Sequence, residues 1–211
     1  MVPAYLNYLL CGVAANEYTN ASTPTLVGAD SKDWDDALIA MLGLPRDIFQ
    51  SVKMAGTVLG HLTPEMQAKV GFDAEVILPA THDTGSAFLA VPARDEFAAY
   101  LSSGTWSLLG VENAAAITSA DSCVANFTNE GGYEYRYRYL KNIMGLWMIQ
   151  SVRRELGEQN GTRPSFPELI AAAKEAADFA SCVDPNDSRF LAPTSMIAEV
   201  KAACADTHQP M

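Results

Sequence analysis

In Val76-Ile77-Leu78-Pro79-Ala80-Thr81-His82-Asp83-Thr84-Gly85-Ser86-Ala87-Phe88-Leu89-Ala90-Val91, an apolar run leads into a polar quartet and out again into a second apolar run. Val76-Ile77-Leu78 predicts a strand, and the small residues after Thr84 predict a helix opening directly behind it. A strand that delivers His82-Asp83-Thr84 to its end, beside the free backbone N–H groups of a helix start, sets an ionised carboxylate where backbone can approach a polar ligand. Further on, Tyr100-Leu101-Ser102-Ser103-Gly104-Thr105-Trp106-Ser107-Leu108-Leu109-Gly110 reads as two strands around a Gly-Thr turn, a corner suited to phosphate. Together the two stretches point to phosphoryl transfer.

The composition bounds this reading. With 211 residues, 49% of them hydrophobic, the chain has material for a core in one substantial domain or parts of two. No apolar run reaches the roughly 18 residues a membrane span needs, and Met1-Val2-Pro3-Ala4-Tyr5 lacks the marks of a signal peptide, so a soluble, cytoplasmic protein is expected. A net charge of −11 argues against a general nucleic-acid binder but leaves room for a nucleotide in a local pocket. Cys11, Cys123, Cys182 and Cys204 form no C-x-x-C pair, which reads as buried reduced thiols rather than a zinc or redox site.

Working outward in both directions, Pro3 opens a helix that stops at Gly12. Glu17 to Thr23 is polar and turn-prone, a solvated loop by composition, although such a cluster lining a pocket offers hydrogen bonds to a sugar. Ser31 caps a helix carrying Trp34, Leu38, Ile39 and Leu42; Val52 to Leu62 is extended; Thr63-Pro64-Glu65 starts another helical turn. Arg94-Asp95-Glu96 is a charged connection and divides the chain into residues 1–92 and 97–211. Beyond it Phe97–Ser103, Thr105–Glu112 and Cys123–Thr128 read as strands of an antiparallel meander, and Asn129-Glu130-Gly131-Gly132 as a turn. The alternation Tyr133-Glu134-Tyr135-Arg136-Tyr137-Arg138 reads as a half-exposed strand. Asn142 begins a long helix, followed by helices from Phe166 to Ala177 and from Thr194 or Ser195 to about Cys204.

Five blocks in register resemble the FGGY family of carbohydrate kinases: Glu17-Tyr18-Thr19-Asn20-Ala21-Ser22, Thr81-His82-Asp83-Thr84, Tyr100 to Leu108, Thr128-Asn129-Glu130-Gly131-Gly132, and Lys141-Asn142-Ile143-Met144-Gly145-Leu146-Trp147. The resemblance implies an α/β, actin-like (ribonuclease H-like) two-domain fold that closes on sugar and ATP. Residues 1–92 would be the end of the sugar-binding domain and 97–211 the start of the nucleotide domain. The family's amino-terminal phosphate loop and carboxy-terminal adenosine region have no counterpart in the chain. This polypeptide would then be the middle of such an enzyme, inactive alone, its partners being the remaining parts of that enzyme. The Trp106 and Met144-Gly145-Leu146-Trp147 blocks favour the branch acting on L-rhamnulose at its 1-hydroxyl; a kinase for L-fuculose or a pentulose, or a non-catalytic remnant, are the alternatives.

The reaction needs a base for the hydroxyl proton, charge stabilisation on the phosphoryl group and in-line placement. By its residue type Asp83 reads equally as a base or as the cap of the following helix; the resemblance makes it the base. The resemblance likewise gives His82, Thr84 and Asn142 to the sugar, and Thr105 and Gln150 to the nucleotide. Placed on one helix eight residues apart, Asn142 and Gln150 would lie about 80° apart around its axis. Trp34, Trp106 and Trp147 read as core anchors. No metal-ligand cluster is visible, so Mg²⁺ is expected to arrive with ATP. A serine hydrolase built on Ser86, His82 and Asp83 is a poor reading, because neighbours in one turn do not easily converge as a triad and Gly-x-Ser-x-Gly is absent.

Overall fold

In a computed structural model describing residues Met1–Pro210, helix α1 (Val2–Cys11) carries Pro3 in its first turn and ends on Gly12, whose φ of 74° is left-handed. A two-residue strand β1 (Asn16–Glu17) leads into the single turn α2 (Tyr18–Ala21). This is the segment that composition assigns to solvent, and it is buried instead, with Glu17 only 2% exposed. Burial is tolerated because the Glu17 carboxylate is saturated: it accepts from Thr19 N, Thr19 Oγ1, Asn20 N, Thr81 N and Thr81 Oγ1.

Helix α3 (Asp36–Met41) is capped by Asp35, which accepts from Ala37 N and Leu38 N at 3.0 Å each, rather than by Ser31. Ser31 sits in a tight turn with Lys32 at φ 57°, and Trp34 precedes the helix in a bridge to Val27. Trp34 is nonetheless the expected anchor, packing with Ala21 and Ile39 against Leu26, Val27, Phe49 and Val52 and donating Nε1 to Gln50 O at 2.7 Å. Strand β2 (Val52–Lys53) pairs parallel with β1. Strand β3 (Val58–His61), helix α4 (Pro64–Val70), capped by Thr63, and strand β4 (Glu75–Ile77) follow, β3 and β4 antiparallel. Helix α5 (Asp83–Ala90) opens directly after the apolar run, as expected.

Strands β5 (Ala99–Ser103) and β6 (Trp106–Asn113) flank the Gly104-Thr105 turn. The expected strand over Cys123–Thr128 is instead helix α6 (Ala120–Val124), nucleated by the Ser119 cap on Ser122 N, with a turn behind it. The expected turn at Asn129–Gly132 is largely strand β7 (Thr128–Gly131), paired antiparallel with β8 (Tyr137–Met144). The reversal falls at Tyr133–Tyr135, where Glu134 and Tyr135 have φ of 53° and 58°, so period two misread that segment. The sheet order is β5-β6-β8-β7. Helix α7 (Leu146–Asn160) begins four residues after Asn142, which lies in β8, and is followed by α8 (Phe166–Glu175) and α9 (Met196–Asp206) near the expected positions.

The chain forms two compact units, Met1–Ser102 with Leu109–Lys141, and Ser103–Leu108 with the chain from Asn142 onward. The second is built on Met144, Phe190, Met196 and Ala203, with Trp147, Met148 and Val152 packed against them. Trp106 is 43% exposed and anchors no core. Of the thiols, only Cys204 is buried; Cys123 and Cys182 are exposed. No helix among the described residues is long and apolar enough to cross a membrane.

Candidate functional site

Asp83 is the first residue of α5, and its side chain is 97% exposed. One carboxylate oxygen accepts its neighbour's backbone, Thr84 N, at 2.7 Å. The helix cap is His82, whose Nδ1 accepts from Gly85 N at 3.3 Å, so capping does not account for Asp83. A carboxylate in the first turn of a helix is favoured by the aligned peptide dipoles and stays open to a ligand.

The loop before α5 is pinned from behind. Glu17 holds Thr81 by both N (2.9 Å) and Oγ1 (3.2 Å), Asn20 Nδ2 donates to Thr81 O at 3.4 Å, and Thr19 Oγ1 accepts from His82 N at 3.3 Å. Arg138, which the alternating pattern placed on a solvated face, is completely buried here. Its Nε donates to Gly131 O at 3.0 Å, Nη1 meets His82 Nδ1 at 3.1 Å, and Nη2 lies 3.1 Å from Glu130 Oε2. The last contact is an ion pair without hydrogen-bond alignment, and Glu130 Oε2 takes no hydrogen bond among the described residues. Burial lowers the Arg138 pKa while Glu130 and Glu17 oppose the shift; a guanidinium keeps its proton in any case. Burial, then the Arg138 cation, lower the His82 pKa, against Glu130, Asp83 and Glu17. His82 is therefore neutral at physiological pH.

The structure thus brings His82, Asp83 and the buried Thr84 together on one helix start. The other expected residues lie in the second unit. Thr105 is exposed at its turn, and the carbonyls of Gly104 and Thr105 accept from Leu146 N and Trp147 N at 3.1 Å, fastening the turn to the start of α7. Gln150 is exposed further along that helix. Asn142 is exposed on β8, so the one-helix relation between Asn142 and Gln150 does not hold. Glu17, Thr19, Thr81, Glu130 and Arg138 were not among the residues given roles, although all but Arg138 fall inside the five blocks. A cavity of about 160 Å³ lined by Phe88, Val91, Tyr100 and Leu101, among others, contains none of the expected site residues.

The fold is that of the sugar kinases. Over 85% of this chain and 36% of the other, it is similar to the crystal structure of ligand-bound xylulose kinase from Lactobacillus acidophilus, with a TM-score of 0.70 at 16% identity, a likeness of fold alone. Residues 1–90 match the model of the N-terminal domain, and residues 99–207 that of the C-terminal domain, of the FGGY family of carbohydrate kinases. The chain belongs to that family. It is 51% identical over 209 residues to a rhamnulokinase of Oceanobacillus iheyensis and 53% identical over 209 residues to one of Halalkalibacterium halodurans, 99% of this chain in both cases. It spans 43% and 44% of the lengths of those two relatives.

Proposed function

We propose that this chain serves ATP-dependent phosphorylation of L-rhamnulose at its 1-hydroxyl. The observation that carries the chemistry is the exposed Asp83 carboxylate at the start of α5, 3.8 Å from His82 Nε2; the rhamnulokinase relatives supply the sugar. Asp83 accepts the proton of the 1-hydroxyl as that oxygen attacks the γ-phosphorus in line and ADP departs. His82, Thr84 and Asn142 hold the sugar. The Thr105 hydroxyl donates to a phosphate oxygen, and Gln150 lines the nucleotide. Mg²⁺ enters on the phosphates of ATP as part of the substrate. Residues 1–92 then belong to the sugar-binding domain and 97–211 to the nucleotide domain, which also lends Asn142 to the sugar. The rest of the active site belongs to the length of the relatives beyond this chain, and the enzyme works in the cytoplasm.

The test is coupled ATP turnover with L-rhamnulose, using the gene product that contains this chain and its Asp83→Asn variant. Loss of a base of this kind lowers the rate by about 10²–10⁴-fold, with sugar binding retained. A nearly intact rate in Asp83→Asn removes the base assignment, and turnover of L-fuculose or a pentulose in preference to L-rhamnulose removes the sugar.

A further inference from the structure

The two ring nitrogens of His82 face different groups. Nδ1 meets Arg138 Nη1 at 3.1 Å and Gly85 N at 3.3 Å. A guanidinium has no acceptor and a peptide N–H only donates, so Nδ1 presents its lone pair to both. The ring proton then sits on Nε2, the nitrogen 3.8 Å from Asp83 Oδ1. Arg138 itself has little freedom: besides its bonds to His82 and Gly131 O, its Nη2 reaches Thr19 O at 3.5 Å and Glu130 Oε2 at 3.1 Å. Four charged groups face the imidazole, Arg138 from β8, Glu130 from β7, Glu17 from β1 and Asp83 from its own helix. Glu130 Oε2, 3.9 Å from Nδ1, favours an imidazolium, and the arginine opposes it.

We propose that Arg138 is a positioning residue that locks His82 as the neutral Nε2–H tautomer, so that His82 meets the substrate as a fixed hydrogen-bond donor beside the Asp83 carboxylate. An imidazole free to exchange tautomers would accept from a hydroxyl or donate to a carbonyl with equal ease. One locked by a buried guanidinium selects an oxygen acceptor on the sugar and leaves Asp83 as the acceptor for its proton. The planar fork of arginine suits the task, since one side chain reaches Gly131 O, Thr19 O, Glu130 and His82 from fixed directions. The tautomer follows from the geometry alone; what the Nε2–H meets rests on the sugar-kinase reading.

The experiment is nitrogen-15 NMR of the imidazoles in the gene product that contains this chain, with the His82 signals assigned by their loss in His82→Gln. The expected spectrum has Nδ1 at the position of an unprotonated nitrogen and Nε2 at that of a protonated one, and it persists as the pH falls past about 6.5, where free imidazole half-protonates. In Arg138→Gln the signals should move toward a mixture of tautomers, with protonation returning toward the free value. Glu130→Gln should keep the tautomer and protonate at still lower pH. A proton on Nδ1 in the wild-type protein, or an unchanged spectrum in folded Arg138→Gln, overturns the lock. Should Arg138→Gln fail to fold, the wild-type and Glu130→Gln spectra decide. Adding L-rhamnulose should shift the Nε2–H signal; a locked tautomer with an unmoved signal overturns the sugar contact and leaves the lock standing.

Discussion

Asp83 and His82 are adjacent in sequence and opposite in circumstance, one carboxylate in solvent and one imidazole held by a buried arginine. Because burial and Arg138 keep the folded His82 pKa below that of free imidazole, the unfolded chain takes up the proton first as pH falls. The stability His82 contributes is therefore complete above about pH 6.5 and is lost as the pH drops from there toward the folded value. Thermal unfolding of His82→Gln should show a smaller fall in Tm than wild type between about pH 7.5 and pH 5; parallel curves would remove the shift. The position of Asp83 was legible in the sequence, because a strand followed by small residues dictates a helix start. Which residue caps that helix was not, since capping depended on a histidine nitrogen oriented by a side chain 56 positions away.

Two elements depend on a single residue. Glu155 of α7 accepts from Ser195 Oγ at 2.6 Å, Met196 N at 2.5 Å and Ile197 N at 3.3 Å, and so caps α9 from another helix. Burial alone would raise its pKa, and these hydrogen bonds lower it overall. Its contribution is thus present above the ordinary carboxylate value near 4.5 and is lost as the pH falls through the folded one. Glu155→Ala leaves those donors unmet and should cost about 2 kcal/mol in denaturant unfolding, with faster amide exchange at Met196 and Ile197. On β7, a Cβ at Gly131 would stand 2.6 Å from the buried Tyr18 ring, so Gly131→Ala should destabilise by about 1–3 kcal/mol in the same measurement. The α9 start was readable from Ser195, a local cap, whereas its second acceptor, from α7, was not. The misplaced start of α7 has a similar cause: Ile143, Leu146 and Trp147 mimic a helical stripe, yet sheet pairing claims the chain as far as Met144.

For the molecule as a whole, His82, Asp83 and Thr84 fall in one unit and Asn142, Thr105 and Gln150 in the other, so both residues proposed to face the nucleotide lie in the second unit. In the gene product that contains this chain, Thr105→Val should therefore raise the KM for ATP by roughly tenfold, the worth of one hydrogen bond, and leave the KM for L-rhamnulose nearly unchanged. A rise confined to the sugar would reverse the assignment. Family and fold could be read before any coordinates, because five short blocks hold residues that backbone turns and a polar ligand constrain locally, and local constraint survives in a linear string. The interior behind the site could not. Glu17 and Arg138 look like surface charges in a one-dimensional pattern, and they become interior ones only because folding brings complementary partners together. Thr81 and His82, distant in the chain, and Glu130, opposite Arg138 on the neighbouring strand, supply the hydrogen bonds and opposite charge without which neither side chain would leave water.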